Sequence, residues 1–155
     1  MKTMTNTPNE MPDNETDQPL VTFALFAYNQ EQYIREAVEG AFSQTYEPLE
    51  IILSDDCSTD NTYEIMQQLA AAYEGPHIVR CRQNPNNMGT LRHVLSVMQE
   101  ITGSFVVLAA GDDVSLPLRS AELTHAWKET GGWGFFSRYD LIDSDGLKIA
   151  ENELA

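Results

Sequence analysis

Positive charge is scarce in this chain. Its 155 residues carry nine Lys plus Arg against twenty-four Asp plus Glu, a formal charge of −15. A surface of that sign repels nucleic-acid backbones and anionic membranes, so nucleic acid is excluded as a partner. A small anionic ligand would need a metal ion or a placed arginine to be held. Cysteine is scarce too: Cys57 and Cys81 stand far apart. They fall in no Cys-x-x-Cys or Cys/His spacing, which signals neither a zinc site nor a disulfide framework and points to two reduced thiols in a cytoplasmic protein. No apolar run approaches the roughly 18–20 residues of a membrane-spanning helix. The N-terminus lacks the basic start and apolar core of a signal peptide. Phosphate-cradling loops are also missing: no GxxxxGK[ST] occurs and no GxGxxG follows the first apolar run. A GxSxG nucleophile elbow is absent as well.

What is present reads as one domain with an ordinary core, since 42% of the residues are hydrophobic. Residues 1–18, rich in Asn, Thr, Pro and acid, predict a disordered tail, and residues 19–155 the folded domain. "LVTFALFAY" is a continuous apolar and β-branched run, the pattern of a strand covered on both faces. "EQYIREAVEGAFSQT" carries a helical stripe, "LEIILS" predicts a second strand, and "TYEIMQQLAAAY" a second helix with Asn61 as N-cap and Glu64 in the capping-box position. "HIVRCR" and "SFVVLAA" predict two further strands separated by a helix in "TLRHVLSVMQEI". Pro117 to about Thr130 predicts a fourth helix, and "GWGFFSRYDLI" a strand turning through "DSDG" into "LKIA". This alternation means an α/β fold with a mostly parallel sheet and helices on both faces.

In such sheets ligands bind outside the carboxyl ends of the strands. The loops there are "AYNQ", "SDDCSTD", "NPNNMG" and "GDD". Asp55, Asp56 and Asp60, taken alone, read first as solvated helix caps. Asp112 and Asp113 are different, because adjacent like charges at the end of an apolar strand repel and a cation relieves that repulsion. Oxygen-only ligands suit Mg²⁺ or Mn²⁺, which commonly take one or two carboxylates together with substrate phosphates. Gly111 would let the backbone approach a ligand closely. His77, His93 and His125 fall on strand or helix segments and read as structural. "DSDG" lacks calcium ligands at the required positions and reads as a hairpin turn.

With these residues assembled, the chain resembles the family 2 nucleotide-sugar glycosyltransferases of the GT-A fold over roughly Pro19 to Ala150. The likeness rests on "FAYNQEQYIREAVEGAFSQTY", "EIILSDDCSTDNTYEI" and "GDD" in combination. It implies a Rossmann-like nucleotide-sugar-binding domain, the donor-binding portion of an inverting enzyme that moves a sugar from a nucleotide diphosphate, UDP favoured, to an acceptor hydroxyl of a glycan. By the same resemblance Phe26 and Tyr28 line the nucleotide pocket and Asp56 accepts a hydrogen bond from the base. Asp112 and Asp113 hold a divalent cation, Mn²⁺ or Mg²⁺, with Asp113 the direct ligand, and Arg92 stands near a phosphate-contacting arginine. Two departures stand out: Ala110 replaces an acid two positions before Asp112, and the spacing from Gly89 to Arg92 is short. The general base is expected beyond Ala155. Exposed apolar surface is therefore expected, with self-association or completion by another chain as outcomes. Two readings from other classes stay open. One is a non-catalytic nucleotide-sugar-binding module or remnant. The other is a phosphoacceptor receiver, which would need an acid pair where Asn29 stands and a lysine where Arg138 stands.

Overall fold

The computed structural model describes residues 18–143 and 145–151. Nearly all of the predicted tail thus lies outside the described residues. The elements run β1 (Val21–Ala27), α1 (Ile34–Phe42), β2 (Leu49–Asp55), α2 (Thr62–Ala71), β3 (Ile78–Gln83), α3 (Thr90–Met98), β4 (Phe105–Ala110), α4 (Arg119–Thr130), β5 (Asp140–Ile142) and β6 (Lys148–Glu151). Four of the strands form one sheet in the order β3-β2-β1-β4, and every pairing in it is parallel. β5 and β6 pair antiparallel as a separate hairpin.

The two central strands are the most apolar because both of their faces are covered. Val21, Phe23 and Leu25 of β1 and Leu49, Ile51 and Leu53 of β2 point to one side, where they pack with Ile34 and Val38 of α1, Met66 of α2 and Leu123 of α4. Ala24 and Ile52 point to the other side and meet Val97 of α3. Helices therefore cover both faces, as the alternating pattern predicts. β3 and β4 are the sheet edges, and each exposes a large apolar residue, Ile78 and Leu108 respectively.

Glu50, the second residue of β2, is buried near the amino ends of the strands. Its Oε1 accepts hydrogen bonds from Thr22 Oγ1, Thr102 N at 2.7 Å and Gly103 N at 3.2 Å, and its Oε2 from Arg80 Nη2 at 2.8 Å. A buried carboxylate is tolerated when donors surround it in this way. Here it ties β1, β2, β3 and the turn before β4 together, at the end of the sheet opposite the candidate site.

Two local expectations fail. The capping box at α2 does not form: Asn61 Nδ2 donates to Glu31 Oε2 at 2.8 Å and Glu64 accepts from Gln68. The Thr62 N–H goes instead to Asp60 Oδ1 at 3.0 Å, so an acid one position earlier does the capping. The long strand predicted over "GWGFFSRYDLI" shrinks to Asp140–Ile142. A strand needs a partner for its ladder, and the only partner for this segment among the described residues is β6. The turn between them is built by Asp143, whose Oδ1 accepts from Asp145 N and Leu147 N, both at 2.9 Å. Its carboxylate serves its own hairpin, as the reading of "DSDG" as a turn requires.

Candidate functional site

Three backbone hydrogen bonds carry the sheet ladder one step past the strands and align the loops at their carboxyl ends. Asp56 N donates to Ala27 O at 2.9 Å, Gly111 N to Phe26 O at 2.8 Å and Asn84 N to Asp55 O at 2.8 Å. Continuing the parallel register past the strand ends sets Asn84 after β3, Asp56 after β2, Tyr28 after β1 and Asp112 after β4 opposite one another. With roughly 4.8 Å between strands, the acid after β2 and the acid pair after β4 are about 10 Å apart, with Tyr28 between them.

The Tyr28 and Asp56 loops are stitched together by side chains. Asn29 Oδ1 accepts from Thr59 N at 2.8 Å, Asn29 N donates to Ser58 Oγ at 2.8 Å, and Gln30 N donates to Thr62 Oγ1 at 2.7 Å. Asp60 joins in by accepting from Glu31 N at 3.1 Å. Asp55, fully buried, accepts from Ser58 N at 2.8 Å, Ser58 Oγ and Gln83 Nε2 at 2.9 Å. The tight reversal this demands puts Asn29 and Cys57 at positive φ, 50° and 63°, a conformation uncommon outside glycine. Asp55 and Asp60 are thus loop and cap acids. Their carboxylates are spent on the fold.

Asp56 is also buried, at 3% exposure. Its Oδ1 accepts from Asn84 Nδ2 at 2.7 Å and Met88 N at 2.9 Å, and its Oδ2 from Gly89 N at 2.9 Å. Burial alone would raise this carboxyl, but the bonds from Asn84, Met88 and Gly89, together with nearby His93, hold it below the usual carboxylate range. A carboxylate has about four acceptor positions, so three donors leave about one for a ligand. Asp56 therefore clamps the loop after β3 against the tip of β2.

Behind it runs a chain of polar groups that motif reading does not reveal. Asn84 Oδ1 accepts from Arg82 Nη2 at 2.7 Å, Arg82 Nη1 donates to Ser54 Oγ at 2.9 Å, and Ser54 Oγ pairs with His93 Nε2 at 2.7 Å. The His93 ring meets Phe26 edge-on, centroids 5.1 Å apart. Burial pushes the His93 imidazole down, against the upward pull of Asp56, so it stays neutral at pH 7. Phe26 is thereby half-buried against α3 as a wall. Tyr28, 44% exposed, presents its ring to solvent at the strand tip. Arg92 is exposed on the first turn of α3 and pairs with no described carboxylate. The one signal for this network was position, since "NPNNMG" opens at the same sheet edge.

Asp112 and Asp113 are exposed, and neither carboxylate accepts a hydrogen bond from a described residue. Among the described residues no group of three or more His, Cys, Asp or Glu converges on a metal position. Asp113 lies in the field of the Arg119 guanidinium, yet two carboxylates with no hydrogen bonds of their own fit an ion whose remaining ligands are substrate phosphates and water. Gly111 has a packing reason of its own: a Cβ there would come within 2.5 Å of Gln30 Oε1, 2.9 Å of Ala27 Cβ and 3.1 Å of Ile34 Cδ1. The glycine makes room for the chain's own β1 and α1.

The family model described as Glycosyl transferase family 2 matches residues 22–153. The chain belongs to that family. An uncharacterized protein of Mycobacterium tuberculosis is 40% identical to this family 2 chain over 134 residues, covering 84% of this chain and 38% of the relative. The mannosyltransferase PcManGT of Pyrobaculum calidifontis, solved with GDP-Man and Mn²⁺, superposes with a TM-score of 0.63 at 24% identity, covering 79% of this chain and 35% of that one. Staphylococcus aureus TarS 1–349, solved with UDP-GlcNAc, gives a TM-score of 0.62 at 19% identity, covering 79% and 40%. These two likenesses establish the fold, and the family 2 chain spans well under half the length of each of the three. No helix among its described residues is long and apolar enough to cross a membrane.

Proposed function

We infer that the carboxyl edge of the sheet binds a nucleotide-diphosphate sugar and that the protein transfers the sugar, with inversion, to an acceptor hydroxyl of a glycan, the work of polysaccharide biosynthesis. The observation that carries this reading is the spacing on the edge. A clamped acid follows β2 and two carboxylates with no hydrogen-bond donors follow β4, two strands away, with an exposed aromatic ring following β1 between them. Tyr28 stacks beside the base, Phe26 backs it, and Asp56 offers its remaining acceptor position to a base N–H, as a uracil imide would supply. Asp113, with Asp112 beside it, holds Mn²⁺ or Mg²⁺. Such an ion would supply positive charge against the negative charge that a departing nucleoside diphosphate gathers. In an acidic protein this is also what makes an anionic donor bindable. Both solved neighbours were captured with nucleotide sugars, and one of them with Mn²⁺, which supports the donor class and the cation.

The acceptor's general base is assigned to no described residue. Asp140 pairs with Lys148 at 3.0 Å and Asp143 builds its own turn, so neither is proposed as the base. The test is calorimetric titration of UDP into the protein with Mn²⁺ and again with chelator. Binding is expected only with the metal, and Asp113→Ala is expected to weaken it by about 10- to 100-fold. Equal binding with metal and with chelator would overturn the cation assignment. No binding in either condition would overturn the donor site.

A further inference from the structure

The acid loop is gripped from outside its own strand. Its first half is seated by Gly111 against β1, but the second half rests on the end of α1. Gln44, 4% exposed, donates from Nε2 to Leu116 O and to Gly40 O, both at 2.9 Å. Its Oε1 accepts from Ser120 N at 2.9 Å and Ser120 Oγ at 2.7 Å. Thr45 N adds a bond to Pro117 O at 3.0 Å. The Gln44 amide thus ties the end of α1 to two elements, the loop 114–118 and the first turn of α4. Gly40 completes the seat. A Cβ on it would lie 3.0 Å from both Ser115 N and Ser115 O, so the loop backbone lies directly on the helix. From the other side Arg119 Nη1 donates to Ser115 Oγ at 3.0 Å. Ser115 is two residues from Asp113.

We propose that Gly40 and Gln44, at the end of α1, are positioning residues for the Asp112–Asp113 cation site. The pair sets the height and direction at which the two carboxylates leave the sheet edge. The exposed acids make no hydrogen bonds through their carboxylates, and Asp113 feels the charge of Arg119, so the backbone that aims them is set by the two ends of the loop. One end is held by β1 and the other by α1. Distances between ligand oxygens govern affinity for an ion with strict geometry, and a shift of a few tenths of an ångström at Ser115 is transmitted through a single intervening residue.

This inference rests on the proposed cation role of the two acids, and its test separates the two. The ratio of UDP affinity with Mn²⁺ to that with chelator is measured by calorimetry, alongside the melting temperature, for the parent, Gly40→Ala, Gln44→Met and Tyr46→Phe. Alanine is the better helix former, so Gly40→Ala moves the loop without weakening α1. Methionine keeps the length of Gln44 and loses its bonds. Tyr46→Phe removes only the bond from Tyr46 Oη to Pro19 O at 2.7 Å, in the same segment but away from the acid loop. The expected result is that Gly40→Ala and Gln44→Met lower the metal-dependent ratio by about tenfold or more, while Tyr46→Phe leaves it at the parent value whatever it does to the melting temperature. A folded Gly40→Ala protein with the parent ratio would overturn the proposal. If Gln44→Met does not fold, Gly40→Ala decides. A parent without metal-dependent binding would overturn the cation role itself.

Discussion

Asp56 shows how one side chain serves the fold and the site together. Three donors, the Asn84 amide and the backbone of Met88 and Gly89, converge on it; removal of the acid strands the buried Asn84 amide and the half-buried Met88 N–H, while Gly89 N keeps Asn87 Oδ1 at 2.9 Å. Asp56→Ala is therefore expected to cost about 2–3 kcal/mol of stability, measurable by urea denaturation. It should also erase the preference for UDP over ADP. A variant of parental stability would mean that the stranded donors find other acceptors. Cys81 is set by its surroundings in another sense: burial, aided by Asp55, pushes its thiol up to about 11, so it stays protonated and unreactive, as a reduced structural cysteine should.

At the scale of elements, the two ends of the strands do different work. The amino ends are tied by Glu50. Burial alone would raise its carboxyl, but hydrogen bonds from Thr22 and Thr102 and the charge of Arg80 outweigh it and hold it below the usual range. A carboxyl depressed in the folded state stabilises the fold at pH values above its unfolded pKa. That contribution is lost as pH falls through the depressed folded value. Asp56 and Asp60, also lowered, add to the same trend. The melting temperature is expected to drop from about pH 4 downward, near the unperturbed carboxyl range. Glu50→Gln should flatten part of that drop, and it should leave UDP binding untouched because Glu50 sits at the far end of the sheet. A change in UDP affinity in this variant would mean that the two ends are coupled. The carboxyl ends, by contrast, are held by loop-to-loop bonds that leave Tyr28 and the Asp112–Asp113 pair facing solvent.

For the whole molecule, charge and apolar exposure oppose each other. The formal charge of −15 repels copies of the chain. Leu108 on the edge strand, Trp133 and Phe136 before the hairpin, and Leu141, Leu147 and Ile149 on it are all exposed, a surface that favours association. Screening weakens the repulsion and leaves the apolar attraction intact. Sedimentation of the 155-residue chain is therefore expected to show a monomer at low salt and association as salt rises. A monomer at every salt concentration would remove self-association as an outcome of that surface.

How much of this was legible in the sequence depended on whether the physics was local. The four parallel strands and the four helices could be read because their signals, apolar runs covered on both faces and helical stripes, lie within short windows. Asp112 and Asp113 stood out for the same reason, as adjacent charges ending an apolar run. The sequence also carried the family resemblance, through three short motifs whose combination is specific. What the tertiary structure alone decided was partnership across the chain. Only the fold brings Asn84 to Asp56, 28 residues away, and Ser120 to Gln44, 76 residues away. It also decided that the side chain of the N-cap residue Asn61 turns to Glu31 while Asp60 accepts from Thr62 N, and that of "GWGFFSRYDLI" only the last three residues pair. The reason is that a hydrogen bond needs both of its ends, and for Asn84, Ser120 and Asn61 the second end lay on a distant element; with Asn61 drawn to Glu31, the local cap fell to Asp60.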